Sequence, residues 1–293
     1  MIAVRPVESD ADLEAWILVR RRVLPNEPAV TMEQMRALDA PRRLLLLAER
    51  NGELAGSGLA DRSDTGSGFV APRILVEHRR HGVGTALLAP LLDHLRAHGF
   101  TAAGAHAEDD GAIAFAHRHG FVEIDRQVEQ VRAVGSDEPQ PDPYEGITFT
   151  SIAERPELLE RAHDVAEQGY ADLVLASGEM KVTLEEWLRD EATLPSGSFV
   201  ALNGDRVVGY AGLLSWNDDD TRAEHGLTAV DRKWRRRGLA TALKRRQIAW
   251  AAANGIRELV TWTQTGNEGM RSVNDQLGYV TRTVSLSMRR ELM

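Results

Sequence analysis

The residues best suited to chemistry sit where three arginines meet a glycine, in Arg235-Arg236-Arg237-Gly238-Leu239-Ala240-Thr241. Glycine lets backbone approach a ligand closely, and the amides of a first helical turn have no partner within the helix. Those amides, the positive end of the helix dipole and the neighbouring guanidinium groups together suit a diphosphate. An apolar strand ending at Val230 precedes the turn, and Leu239, Leu243, Ile248, Trp250 and Ala251 follow it at helical spacing. The same pattern stands 156 residues earlier as Arg79-Arg80-His81-Gly82-Val83-Gly84-Thr85, again after an apolar run, which ends at Ile74. Neither copy ends in the Gly-Lys-Ser/Thr of a P-loop, and Leu87 stands where a dinucleotide fingerprint needs its third glycine. The expectation is a phosphate cradle made of backbone, in two copies.

The elements around the cradles repeat as well. His98-Gly99-Phe100 matches Asn254-Gly255-Ile256 at the same offset, and His119-Gly120-Phe121 matches Leu277-Gly278-Tyr279 at 158. Three landmarks in one order at nearly one offset mark a duplicated domain. Between the copies, Gly135–Gly146 holds three prolines, two glycines and four acids and reads as a linker. The division is therefore 1–134, linker 135–146, and 147–293.

In the second copy a strand at Ile147–Ser151 leads to a helix over Pro156–Gln168 and a short helix over Thr183–Leu188, where Thr183 and Glu186 have capping-box spacing. Strands follow at Ser198–Leu202 and Arg206–Trp216, joined by the turn Asn203-Gly204-Asp205, and at Glu224–Val230. A helix over Gly238–Ala253, a strand at Glu258–Thr263, a helix over Glu268–Leu277 and a strand at Tyr279–Met288 complete it. The first copy runs in parallel, from a strand at Ile2–Pro6 through the turn Asn51-Gly52 to Phe121–Ala133. Strands first, then strand–helix–strand–helix–strand, give a mixed α/β fold.

Composition excludes several classes. The 293 residues include no cysteine, so disulfides, thiolate metal sites and cysteine nucleophiles drop out. Residues 1–134 carry 16 basic and 19 acidic side chains and 147–293 carry 19 and 21, so neither half has the basic excess of a nucleic-acid binder. No apolar run is long enough for a membrane span, and the N-terminus lacks the sections of a signal peptide. A cytoplasmic protein without nucleic-acid or membrane partners is expected. His94 and His98 have metal-ligand spacing, and His117 and His119 follow, but no carboxylate completes a zinc helix pattern, so no metal is expected. Arg245-Arg246 reads as a solvated helix face.

Val230, Arg235, Gly238 and Ala240, and likewise Ile74, Arg79, Gly82 and Gly84, resemble the acyl-CoA motif of the GNAT N-acetyltransferases. Asn267-x-x-Met270-x-x-x-Asn274-x-x-Leu277-Gly278-Tyr279 is similar to that superfamily's following helix and its Gly-aromatic ending. The tandem arrangement resembles that of mycothiol synthases and actinobacterial tandem GNAT proteins. The resemblance implies two GNAT-like domains, each a mixed, mostly antiparallel sheet flanked by helices and able to pair as a pseudo-dimer within a monomeric chain. It implies acetyl-CoA or another acyl-CoA as co-substrate and the primary amine of a small molecule as acceptor. Amides of Arg236, Arg237, Gly238, Leu239, Ala240 and Thr241, beside Arg235, would hold the diphosphate. Thr228, Ala229 and Val230 would pair with pantetheine, and Asn267 and Asn274 would touch pantetheine or adenosine.

Amide formation also needs a base, because an aliphatic amine has a pKa near 10. Glu224 is the candidate: it lies six residues before Val230, so strand alternation puts both on one face and His225 on the other. Trp216 and Trp262 end strands and either line an acceptor pocket or pack. In the first copy Gly68 replaces Glu224, and Pro72 replaces Thr228 and removes a donor. Catalysis is therefore expected in the second copy, with Arg79, Gly82 and Gly84 left as a cradle that binds CoA unproductively or serves as scaffold. The family's acid, a tyrosine four residues before the glycine, is Asn274 here and Ala116 in the first copy, which leaves the acid unassigned. A non-catalytic acyl-CoA-binding regulator and a mycothiol synthase-like biosynthetic acetyltransferase are the alternative readings.

Overall fold

A computed structural model describes residues 1–37, 43–63, 66–173, 180–216 and 218–292. The elements run in chain order as β1 (Ile2–Pro6), α1 (Asp10–Val23), α2 (Met32–Ala37), β2 (Leu44–Arg50), β3 (Glu53–Arg62), β4 (Gly68–Ile74), α3 (Val83–Ala97), β5 (Ala102–Ala107), α4 (Asp110–Arg118) and β6 (Val122–Ala133). They continue as β7 (Thr148–Ser151), α5 (Glu157–Ala171), α6 (Leu184–Asp190), β8 (Phe199–Asn203), β9 (Arg206–Ser215), β10 (Arg222–Val230), α7 (Leu239–Ala253), β11 (Glu258–Gln264), α8 (Glu268–Gln276) and β12 (Val280–Glu291). The mixed α/β class and the repeated element order agree with the sequence. The expected capping box closes α6: Thr183 accepts from the Glu186 amide, and the Glu186 carboxylate accepts from the Thr183 amide.

Contacts divide the chain into Met1–Ile124 with Leu286–Met293, and Asp125–Ser285. These bounds differ from 1–134 and 147–293 because the strands that close each half pair elsewhere. Gln127–Ala133 of β6 runs antiparallel to β11, and Leu286–Glu291 of β12 runs antiparallel to β5. A repeat in sequence identifies equivalent segments without fixing which edge each last strand joins. The stretch from Gly135 to Gly146 holds no helix or strand, apart from the Tyr144 bridge to Ile147.

In the first unit β1 to β4 form an antiparallel series, and β4 meets β5 in parallel at only two residue pairs. Trp16 on α1 and Leu87, Leu91 and Leu95 on α3 are fully buried, and the Trp16 indole donates to the Gly58 carbonyl at 2.9 Å. In the second unit the sheet order is β6-β11-β10-β9-β8-β7. One side carries α5 and α6, packed around Trp187 and Tyr210; the other carries α7, with Leu239 and Leu243 against Val208, Ala211 and Val230. Each fully buried leucine contributes roughly 2–3 kcal/mol of transfer free energy. Among the described residues no helix is long and apolar enough to cross a membrane.

With so short a parallel contact to β4, β5 depends on the end of β12 for its ladder, and Met288 there is fully buried. Deleting Leu286–Met293 is expected to speed amide exchange over Ala102–Ala107 by about 100-fold or more while leaving β8 protected. Unchanged exchange in β5 would show that this strand closes its sheet without β12.

Candidate active site

The site begins with a defect in the second unit's sheet. β10 pairs with β9 along both ends, but its register shifts between His225, opposite Leu213, and Thr228, opposite Ala211. Three steps on β10 match two on β9, which is a β-bulge. Against β11, β10 pairs only through Arg222–Glu224 with Glu258–Val260; beyond that the two strands part, and β11 stays paired with β6. A cleft of about 300 Å³ opens between them. His225, Gly226, Leu227 and Thr228 line it from β10, Thr261–Gln264 from β11, Lys244 from α7, Asn267 and Met270 from α8, and Tyr170 from α5. The Thr228 hydroxyl is buried there without a hydrogen-bond partner.

The bulge overturns the expected alternation. Cross-strand partners share a face, so Glu224, opposite Leu214, faces away from Val230, opposite Gly209. His225, Thr228 and Val230 share the α7 side instead, and His225 rather than Glu224 lines the cleft.

A different carboxylate lies against the cleft. Glu191 follows α6, held by Ala192 in the left-handed region at φ 56°, a conformation that costs a non-glycine residue about 1–2 kcal/mol. Two glycines make room for it: a Cβ on Gly212 would lie 1.8 Å from Glu191 Oε1, and one on Gly226 2.2 Å. Its carboxylate accepts from the Tyr210 hydroxyl at 3.1 Å and from the Leu227 and Ala192 amides. Burial pushes it up to about 7, against the pull of those hydrogen bonds. Tyr170 beside it is raised by burial first and by the Glu191 charge second.

The α7 side of the cleft is a buried polar network. Lys244 is 1% exposed and donates to Asn274 Oδ1 at 2.9 Å. Asn274 donates to Gln130 at 3.0 Å and to Thr263 at 3.4 Å. His225 meets Gln247 Oε1 at 3.0 Å and the Tyr279 hydroxyl on its other nitrogen. Burial brings Lys244 down to about 7, and burial followed by the Lys244 charge holds His225 well below its usual range.

In the turn after β10, Gly238 precedes α7 at φ 81° with no side chain on the first-turn amides and open space where a Cβ would project. Arg236 sits at φ 61°, and both Arg236 and Arg237 are exposed, Arg237 lying over the Trp234 ring. Leu239 is buried in the core while Ala240 and Thr241 stay partly open. Ala229 and Val230 continue β10 beyond the bulge, paired with β9 on one edge only. Arg235 differs from expectation: its guanidinium holds the Val230 carbonyl at 2.8 Å and Asp172 at 2.6 Å, so it braces the turn. Asn267 caps α8 and lines the cleft, whereas Asn274 is fully buried and spends its bonds internally. Trp262 lines the cleft; Trp216 is buried beneath the Arg222 guanidinium, 4.0 Å from its ring, and does not.

The first unit keeps the turn and lacks the rest. Arg80 and Gly82 repeat the positive φ values at 64° and 86°, and Arg79 reaches the Ile74 carbonyl and Asp109. Gly84 packs closely inside the helix start, where a Cβ would sit 3.1 Å from the Phe115 ring. β4 pairs with β3 without a bulge. The histidines expected not to bind metal make local contacts: His94 and His98 stack at 4.2 Å, His119 lies 4.4 Å from Phe115, and His117 bonds the Phe121 carbonyl.

Residues 11–121 and 160–279 both match the model of the acetyltransferase (GNAT) family. No curated protein matches the chain. Among solved structures, a GCN5-related N-acetyltransferase from Sphaerobacter thermophilus aligns over 99% of this chain and 96% of its own, with TM-score 0.79 and 20% identity. A tandem GNAT protein from the clavulanic acid biosynthesis pathway aligns over 100% and 99%, with TM-score 0.77 and 17% identity.

The buried lysine has a consequence for stability. Above about pH 10.5 it is neutral folded or unfolded; as pH falls toward 7, the unfolded chain takes up a proton that the folded site refuses. The penalty is complete below about 7 and absent above about 10.5. Lys244→Met is therefore expected to be about 3 kcal/mol more stable than wild type at pH 6, net of the Asn274 hydrogen bond it loses. Denaturant melts should show this advantage shrinking as pH rises to 10; a variant less stable at pH 6 would contradict it.

Proposed function

The chain belongs to the GNAT acetyltransferase family and is an acyltransferase, and we propose that its second unit moves an acetyl or other short acyl group from acyl-CoA to the primary amine of a small molecule. The observation that carries this reading is the parting of β10 from β11, followed by a helix N-terminus whose first-turn amides no side chain caps. Both halves of a long thioester find complementary groups there: amides and arginines for the diphosphate, and a strand edge for the amide-bearing arm.

Acyl-CoA supplies the activated acyl carbon; the protein's residues do the rest. The amides of Leu239, Ala240 and Thr241 hold the diphosphate, with Arg236 and Arg237 adding charge. The edge of β10 at Thr228–Val230 that faces away from β9 pairs with the pantetheine amides. Glu191 takes the proton from the acceptor amine; its carboxylate packs against Gly226, which lines the cleft. A base with pKa about 7 is ionised often enough at neutral pH and still basic enough to help. Tyr170 and Trp262 line the acceptor's approach. The charge balance of the chain, with no basic excess in either half, fits a small amine as acceptor.

Acetyl transfer measured against pH over a panel of primary amines tests this. Wild-type kcat/KM should show an acidic limb near pH 7, since Glu191 works only when deprotonated. Glu191→Gln should lower kcat by about 100-fold or more, and Glu224→Gln by less than about threefold. The reverse ranking would return the base to Glu224. Tight acetyl-CoA binding with no transfer to any amine would favour an acyl-CoA-binding regulator.

A further inference from the structure

Lys244 is an unusual residue to find in this cleft. It stands on the buried side of α7, and among the described residues its one hydrogen bond goes to a neutral amide and it makes no ion pair. A buried ammonium without a counter-charge is costly, so this position works against the fold. The first unit shows that the fold does not need it. At the same offset from the arginine-glycine landmarks, Leu88 stands for Lys244, Phe69 for His225 and Leu91 for Gln247; at the next landmark's offset Ala116 stands for Asn274. These four polar positions of the network are all apolar in the copy that lacks the bulge. The chain also has only three lysines among 35 basic residues, Lys181, Lys233 and Lys244. Arginine, its habitual cation, holds its proton at any working pH, whereas a desolvated lysine can release one.

The other titratable groups lining the cleft cannot deliver a proton near neutrality. His225 has both ring nitrogens bonded, to Gln247 and to Tyr279, and burial keeps it neutral. Tyr170 is pushed up by burial and by Glu191. We infer that Lys244 is the proton donor to the sulfur that leaves when the acyl group is transferred. The inference rests on the acyl-CoA reading above. When the amine nitrogen has bonded to the acyl carbon, the carbon–sulfur bond breaks and sulfur keeps the electron pair. The Nζ–H bond of Lys244 then breaks, its proton passes to sulfur to give the CoA thiol, and Lys244 is left neutral. The proton lost by the amine passes through Glu191 to solvent, and Lys244 takes one back before the next turnover.

Every group facing Lys244 suits this role. His225 from β10 is neutral, the Tyr279 ring lies 5.2 Å away, and Asn274 from α8 accepts from the ammonium without neutralising it. The nearest carboxylate along the network, Asp275, is bonded to Gln130, one hydrogen bond beyond Asn274. With its pKa near 7, Lys244 gives up a proton downhill to a thiolate whose acid has a pKa near 8.5. Glu191 lies on the α5 side of β10 and Lys244 on the α7 side, so proton removal and proton delivery are assigned to opposite faces of one strand.

The test uses the full chain with acetyl-CoA and the best amine from the screen above. With ¹³C-labelled lysine, one of three resonances should titrate near pH 7 and vanish in Lys244→Met. Turnover should fall about 100-fold in both Lys244→Met and Lys244→Arg, and the alkaline limb of kcat should disappear in Lys244→Met while the acidic limb persists. Calorimetry should find acetyl-CoA affinity within about threefold of wild type in both variants. A lysine that titrates at its ordinary value, an alkaline limb that survives in Lys244→Met, or activity restored by arginine would each overturn the assignment. If wild type neither binds acetyl-CoA nor acylates any amine, the acyl-CoA reading fails first, a result distinct from variants that bind and turn over normally.

Discussion

The second unit depends on one broken ladder. β10 and β11 share three residue pairs and then separate, because an extra residue at Gly226–Leu227 bends β10 away from its neighbour. A continuous parallel pairing would bury the edge groups of β10 and fill the space now left open. The bulge also resets which side chains face which helix. It aims His225 toward α7, leaves the Leu227 amide for Glu191, and places a glycine where that carboxylate approaches. β4 in the first unit has no bulge, and apolar Phe69, Leu88, Leu91 and Ala116 stand where the second unit has its polar network.

The site is expensive for the fold, and the expense is distributed in a consistent way. Glu191 is desolvated, its neighbour Ala192 sits in a left-handed conformation, Lys244 lacks a counter-ion and the Thr228 hydroxyl lacks a partner. Each costs on the order of 1–5 kcal/mol. These four lie in the unit that has the cleft; the first unit carries costs of the same kind in Arg73, held down to about 10 by burial, and in the unpartnered Ser57 hydroxyl. Burial drives a carboxylate and an ammonium toward the same neutral range from opposite directions, which gives a base and an acid at one working pH. Because the two groups serve one reaction, the apparent limbs of its pH profile belong to the pair.

Much of the fold was legible in the sequence. Glycines 82 and 238 mark both helix starts, Thr183 with Glu186 marks a capping box, and the repeat at an offset of 156 identifies two similar domains. Strand alternation misled at Glu224, because a bulge is invisible to a period-two rule and turns the residues before it onto the other face. Glu191 carried no signal at all: its setting depends on the end of a short helix and on Gly212 and Gly226 meeting from two different strands. Lys244 did leave a trace, as a rare lysine on the apolar stripe of α7 beside Leu243, at the position where the first copy has Leu88. The closing strands could not be placed either, since a repeat does not say whether the end of β12 joins β5.

In the proposed mechanism the second unit's cradle and cleft form the working acyl-CoA site. Gly82 and Gly238 have the same left-handed φ, and neither would clash through its Cβ, so glutamate strains both turns equally. Calorimetric titration of acetyl-CoA into wild type, Gly82→Glu and Gly238→Glu therefore isolates the effect of a negative charge at each helix start. The expected result is one site per wild-type chain, binding weakened by about 100-fold or more in Gly238→Glu, and a Kd within about threefold of wild type in Gly82→Glu. Loss of binding in Gly82→Glu instead, or indifference to both substitutions, would contradict it.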